Sequence, residues 1–145
     1  MHYRKLAIAL SINFVAMYFI TYAMIDTVDH FHFNINRAWM AMMMVAPMAI
    51  VMLVVMRSMF EKRRLNLVLH VAFAALFIAC FLFARKQVPI DDSQFLRSMI
   101  PHHSSAILMC QEAAITDPEI VKLCEKIIES QKQEIAQMEQ ILERY

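Results

Sequence analysis

Three long apolar runs dominate the first part of the chain, and none of them contains Asp, Glu, Lys or Arg. They cover about Leu6–Ile25, Ala38–Met56 and Leu67–Ala84. A helix needs roughly 20 apolar residues to cross a bilayer, so each run predicts a transmembrane helix. The first run is longer than the apolar core of a signal peptide, and no cleavage site of small residues follows it. This favours a membrane anchor.

After residue 88 the pattern becomes amphipathic. Asp91 and Gln94 have the spacing of a helix-capping box, and apolar residues then recur at helical intervals up to Cys110. The run Thr-Asp-Pro-Glu at 116–119 interrupts the pattern and is typical of a second helix start. The second helix carries an apolar stripe, formed by Ile120, Leu123, Cys124, Ile127, Ile128, Ile135, Met138, Ile141 and Leu142.

Two helices joined by a short turn run antiparallel. The sequence therefore predicts an all-α protein with a three-span membrane domain at 1–88 and a helical hairpin at 89–145. Counting outward from the turn places His102 level with Gln131 and Met99 level with Glu134, to within one helical turn. Met109 or Cys110 then lies level with Leu123 or Cys124. A hairpin of this size buries little core. We therefore expect it to pack against a second copy, against the membrane helices, or against both.

Composition supports helices and excludes several functions. Apolar residues make up 60% of the chain and Gly is absent; because tight hairpin turns favour Gly, β-hairpins are not expected. The net charge is +1, and no basic cluster outside the membrane flanks indicates nucleic-acid binding. Nothing identifies a nucleophile, a phosphate site or an electron carrier, so an enzyme is not expected.

The distribution of Lys and Arg predicts the orientation in the membrane. Six of these residues lie in the N-terminal segment and the second loop, against three in the first loop and after the third run. Cytoplasmic segments carry the excess of Lys and Arg. We therefore expect a cytoplasmic N-terminus and an extracytoplasmic hairpin, which in a bacterium faces the periplasm or the cell exterior.

Residues 99–109 carry the main candidate chemistry. They read Met-Ile-Pro-His-His-Ser-Ser-Ala-Ile-Leu-Met, and place Met99, His102, His103 and Met109 on one helix. Imidazole and thioether groups suit copper. Adjacent helical residues diverge by about 100°, so both His cannot point at one ion in the same way. The alternative is structural: one His binds a carbonyl or Glu134, and the other faces solvent.

This run resembles the signature of the domain of unknown function 305 family, with Asp92-x-x-Phe95-Leu96 before it. A second motif, Ile-x-x-x-Gln-x-x-Glu-Ile-x-x-Met at 127–138, follows in the same order. The resemblance covers about Asp91–Leu142. It implies a bacterial, ferritin-like helical domain, and some members are periplasmic copper-binding proteins. The family's marked positions correspond here to Met99, His102, His103, Met109, Gln131, Glu134 and Met138.

The chain departs from the family in two ways. Cys110 and Cys124 stand where members often have Ala. They could form a disulfide outside the cytosol, bind Cu(I), or serve as small packing residues. Many members also contain two hairpins in one chain. This chain has one, so a second copy would complete a ferritin-like four-helix bundle in a homo-oligomer.

Other residues are weaker candidates. Glu134 and Gln131 lie in or beside the apolar stripe and could orient an imidazole or form a buried Glu–His bond. In the first loop, His30 and His32 form a His-x-His pair with Asp nearby, on the same expected side of the membrane as the hairpin. The second run carries a row of Met at four-residue spacing, typical of adaptable packing, at Met40, Met44, Met48, Met52 and Met56.

The favoured function is copper binding, with Cu(I) as the preferred state, in storage, buffering, delivery or tolerance. Met99, His102, His103 and Met109 would be ligands. The alternative is a structural or regulatory membrane module whose His-His-Glu set is a buried polar network. A third interpretation is a copper permease that uses the Met-rich span.

Overall fold

The computed structural model describes residues 2–145, and within this range it contains helices and no strand. Five α-helices follow one another, with a short 3-10 turn at Val28–His30 after the first. They are α1 (His2–Ile20), α2 (Ile35–Val55), α3 (Arg63–Lys86), α4 (Asp92–Glu112) and α5 (Pro118–Leu142). The expected all-α fold, with three apolar helices before a helical hairpin, is confirmed.

Local sequence signals account for the boundaries of the last two helices. Asp91 caps α4, because its carboxylate accepts the backbone N–H of Gln94 at 2.7 Å. Asp117 caps α5 in the same way, and Pro118 occupies the first turn, where its missing N–H costs nothing. Both caps agree with the start signals in the sequence.

The helices α1, α2 and α3 are each long and apolar enough to cross a membrane. Residues 2–21 and 36–89 form one compact unit, with a core built on Leu6, Leu53 and Phe60. One face of α2 is buried at four-residue spacing by Ala41, Val45, Ala49 and Leu53. Small side chains on a buried face allow helices to pack closely within a lipid bilayer.

The first helix ends at Ile20, whereas the apolar run continues to Ile25. The chain leaves the helix because the Tyr22 side chain is buried against polar groups outside α1. Its hydroxyl donates to the carbonyl of His32 at 2.5 Å and accepts from the amide of Asn34 at 3.0 Å. A buried tyrosine with these polar partners overrides the local hydropathy.

The second compact unit combines residues 22–35 with 90–145. Its centre is the antiparallel pair of α4 and α5, whose core contains Ile100, Ile107 and Ile135. Met138 packs against this core. The first loop thus contacts the hairpin, through the 3-10 turn and α4. The sequence-based division at residues 88 and 89 stays a prediction.

Candidate functional site

His103 is buried on α4 and both of its ring nitrogens have partners. Nδ1 lies 2.9 Å from the carbonyl oxygen of Met99, and Nε2 lies 2.7 Å from a carboxylate oxygen of Glu134 on α5. A carbonyl and a carboxylate both accept hydrogen bonds. Each ring nitrogen therefore faces a protein acceptor. In this arrangement neither nitrogen is directed toward a separate metal ligand position.

Glu134 is fixed from two sides. The Ser130 hydroxyl donates to its second oxygen at 2.8 Å, one turn earlier on α5. The Ser130 and His103 hydrogen bonds hold the pKa of the Glu134 carboxyl below its ordinary value, because both stabilise the charged form. Its side chain remains 46% exposed. The His103–Glu134 contact lies about one turn from the register expected from the sequence.

His102 differs from its neighbour. It is exposed, and its ring centre lies 6.0 Å from that of His103 at an interplanar angle of 66°. Met99 is half-buried three residues earlier, and Met109 is exposed seven residues later. The structure therefore separates the two histidines: one is held inside the hairpin, and the other is presented to solvent beside a thioether.

The first loop brings its His-x-His pair onto α4. Ser104 is fully buried, and its hydroxyl accepts the backbone N–H of Asp26 at 2.7 Å and contacts Nδ1 of His30 at 2.8 Å. His30 thus binds the residue that directly follows His103. Sequence reasoning missed Ser104. The signal that could have identified it is its position: a polar residue between Ile100 and Ile107 on the buried stripe of α4.

His32 is half-buried, and its Nε2 atom has no hydrogen-bond partner. Burial, aided by the nearby Arg97 charge, lowers the pKa of His32 below 6.5, while Glu139 acts in the opposite direction. Burial therefore favours the neutral form of this imidazole. Across residues 2–145, no group of three or more His, Cys, Asp or Glu side chains is arranged to hold a metal ion.

The two hairpin cysteines form a disulfide. Cys110 on α4 and Cys124 on α5 are bonded, with their Cα atoms 5.3 Å apart. Of the three interpretations that the sequence left open, the structure has the disulfide, and this confirms the register near the turn. The remaining hairpin candidate, Gln131, is half-buried on α5.

The methionine row of α2 lies about a quarter turn from the buried small residues of that helix. Met40, Met44 and Met48 are exposed, and the Met48 sulfur accepts a hydrogen bond from the Asn13 amide of α1 at 2.7 Å. This contact gives the polar Asn13 a partner inside a candidate membrane helix. The permease interpretation stays a prediction.

Comparison with known proteins agrees with this architecture. Residues 83–142 match the family model described as Domain of unknown function (DUF305). The chain is also 31% identical over 134 residues to uncharacterized protein L153 of Acanthamoeba polyphaga mimivirus, covering 90% of this chain and 86% of the viral protein. A match of that length includes most of the three apolar helices as well as the hairpin. No solved structure matches the chain.

Proposed function

The chain belongs to the DUF305 family, and we propose that it is a membrane-anchored protein whose hairpin binds Cu(I) outside the cytosol. The observation that carries the proposal is the exposure of His102 one turn from the half-buried thioether of Met99. Imidazole and thioether together form a soft donor pair that suits Cu(I). The family resemblance to copper-binding members supports the same metal.

The two histidines have different roles in this proposal. His103 positions the motif, because its bonds to Met99 and Glu134 fix the helix backbone beside its neighbour. His102 is the metal ligand, because its exposed ring can turn a nitrogen lone pair toward an ion. The side chains of His102 and His103 point in different directions on the helix. This is compatible with a metal site, since only His102 needs to face the metal.

Geometry also limits which thioether can join His102 on one ion. Met99 is three residues away, and side chains at this spacing are neighbours on a helix surface. Met109 is seven residues away, which corresponds to about 10 Å along the axis. Within one chain, Met99 is therefore the partner of His102, and Met109 is a separate soft donor on the same side of α4.

Two features support an extracytoplasmic hairpin. The excess of Lys and Arg in the N-terminal segment and second loop favours a cytoplasmic location for those segments. The Cys110–Cys124 disulfide is typical of an oxidising compartment. If the chain is bacterial, this compartment is the periplasm or the cell exterior. In such a compartment we propose a non-enzymatic role in copper storage, buffering, delivery or tolerance.

A Cu(I) titration of the full chain in detergent tests the proposal. Wild type competes with a colorimetric Cu(I) chelator, and His102→Ala is expected to lose at least tenfold in affinity. The control is His70→Ala, which removes an imidazole from α3 far from the motif in sequence. Equal affinities of wild type and His102→Ala would contradict the proposal.

A structural role is the second candidate function. It is favoured by the bond between His103 and Glu134, which Ser130 extends into a three-residue polar network. In that case the network specifies hairpin register, and the protein acts as a membrane oligomerisation module. Substitution of His102 would then leave every property unchanged, whereas substitution of His103 would weaken the fold.

A further inference from the structure

A regular row of exposed and half-buried side chains runs along α4. Phe95, Met99, His102, Ala106 and Met109 follow each other at spacings of four, three, four and three residues. This is the heptad spacing by which helices pack against helices. Phe95 is 49% exposed and Met109 is 59% exposed, and the row contains no Asp, Glu, Lys or Arg.

The other sides of α4 are already occupied within its own unit. One side packs against α5 through Ile100, Ile107 and the disulfide. Another receives the first loop at Ser104. The row lies about a quarter turn from the α5 contact, which is the position of the next helix in a four-helix bundle.

The adjacent side of α5 extends this open surface. Leu123 is 54% exposed, Ile127 and Ile141 are half-buried, and the Glu134 carboxylate lies among them at helical spacing. We call the α4 row and this side of α5 the lateral face. It joins two helices into one largely apolar surface, and the candidate metal ligand His102 lies in its α4 row.

We propose that a second copy of this chain packs on the lateral face, and that His102 of both copies completes one metal site. The proposal rests on the proposed function. His102 is the middle residue of the row, seven residues after Phe95 and seven before Met109. A two-fold axis through this point places Phe95 against Met109 of the partner subunit and His102 beside His102 of the partner subunit.

The pattern selects a copy of the chain over other occupants. Heptad spacing requires a helix with the same spacing, and α4 itself supplies one. Two helices bury little core, whereas two hairpins form a complete four-helix bundle. Ser98 and Ser105 border the row, where a helix that inserts into a lipid surface carries Lys or Arg.

The shared arrangement also improves the metal site. On α4, one chain provides the exposed imidazole of His102 and one neighbouring thioether, because His103 is committed to Glu134. Two copies provide two imidazoles and two thioethers around the same axis. These are soft ligands throughout, and burial between the hairpins would exclude competing water.

The test uses the full chain in detergent micelles, with light scattering for mass and a metal assay for stoichiometry. We expect a dimer that binds one Cu(I) per two chains. Ala106→Glu should split the dimer and lower Cu(I) affinity at least tenfold, although His102 and Met99 are intact. The matched control is Val121→Glu, which adds the same charge to an exposed apolar position on the other side of α5.

A cross-linking experiment tests the face without copper. His102→Cys should form an interchain disulfide under mild oxidation, and Val121→Cys should not. A monomer that binds one Cu(I) per chain and does not cross-link would overturn the shared site and leave the proposed function intact. A cross-linked dimer that binds no Cu(I) would overturn the proposed function, and the shared metal site with it.

Discussion

The Nε2 atom of His103 lies 2.7 Å from a carboxylate oxygen of Glu134, and this contact joins the two helices of the hairpin at one defined register. The carbonyl of Met99 occupies the other ring nitrogen. A polar contact with one buried partner is satisfied in one alignment of the helices and broken in neighbouring alignments. It therefore fixes the position of the adjacent His102.

Substitution of either His103 or Glu134 should destabilise the hairpin. Substitution of both should lower the free energy of unfolding by less than the sum of the two single effects. His103→Phe leaves Glu134 with Ser130 alone, and Glu134→Gln weakens the charge-assisted bond. A double-mutant cycle on thermal unfolding of the full chain measures the coupling. Strictly additive effects would show that the pair does not act as a unit.

The same pair predicts how stability depends on pH. The pKa of Glu134 is lower in the folded protein than its ordinary value near 4.5. Its contribution is therefore fully present above that value and is lost as the pH falls through the folded pKa. Unfolding followed from pH 6 to pH 3 should show a decline that Glu134→Gln reduces. An identical decline in the variant would assign the loss to other carboxylates.

The disulfide should stabilise the hairpin mainly by restricting the unfolded chain. Cys110 and Cys124 are 14 residues apart, and a loop of that length corresponds to about 3 kcal/mol in the chain-entropy model. Cys110→Ser with Cys124→Ser should lower the free energy of unfolding by this order. Thiol labelling of the denatured, unreduced wild type, read by mass spectrometry, checks that the disulfide is present. One label is expected, on the free cysteine Cys80.

Ser104 should control whether the first loop stays on α4. Ser104→Ala leaves the N–H of Asp26 and the ring of His30 without their partner, which costs about 1–3 kcal/mol for buried polar groups. Hydrogen exchange of residues 22–35 should rise in this variant. Ser105→Ala is the matched control, because the Ser105 hydroxyl donates within its own helix to Pro101. Equal exchange in both variants would contradict the role of Ser104.

Loop docking should also weaken in mildly acidic solution. Burial and Arg97 lower the pKa of His32 in the folded state, against the opposing effect of Glu139. Because the undocked loop binds a proton more readily, docking is fully stable above pH 6.5 and weakens as the pH falls through that value. His32→Gln should remove this pH dependence from the exchange of residues 22–35. Persistence of the pH dependence in this variant would contradict the role of His32.

The sequence predicted most of the fold because its signals are local. Apolar runs without charges defined the three long helices, and Asp91 and Asp117 marked the starts of the last two. The turn between α4 and α5 then set the register that pairs Cys110 with Cys124 and brings Glu134 to the motif. Each inference needed only helical periodicity and a short connection.

Contacts between residues far apart in the sequence could not be predicted from these local signals. The docking of the first loop depends on Tyr22, Asn34 and Ser104, which are far apart in the sequence and share no period. For the same reason the first helix ends before its apolar run does. The sequence also could not predict which of His102 and His103 is buried, because two adjacent histidines have the same local pattern.

The most direct measurement is X-ray absorption spectroscopy of the Cu(I)-loaded full chain. We expect an imidazole nitrogen and a thioether sulfur in the copper coordination sphere. Met99→Leu should remove sulfur scattering, and His102→Ala should remove the imidazole contribution. A spectrum that both substitutions leave unchanged would contradict the central claim that His102 and Met99 hold the metal.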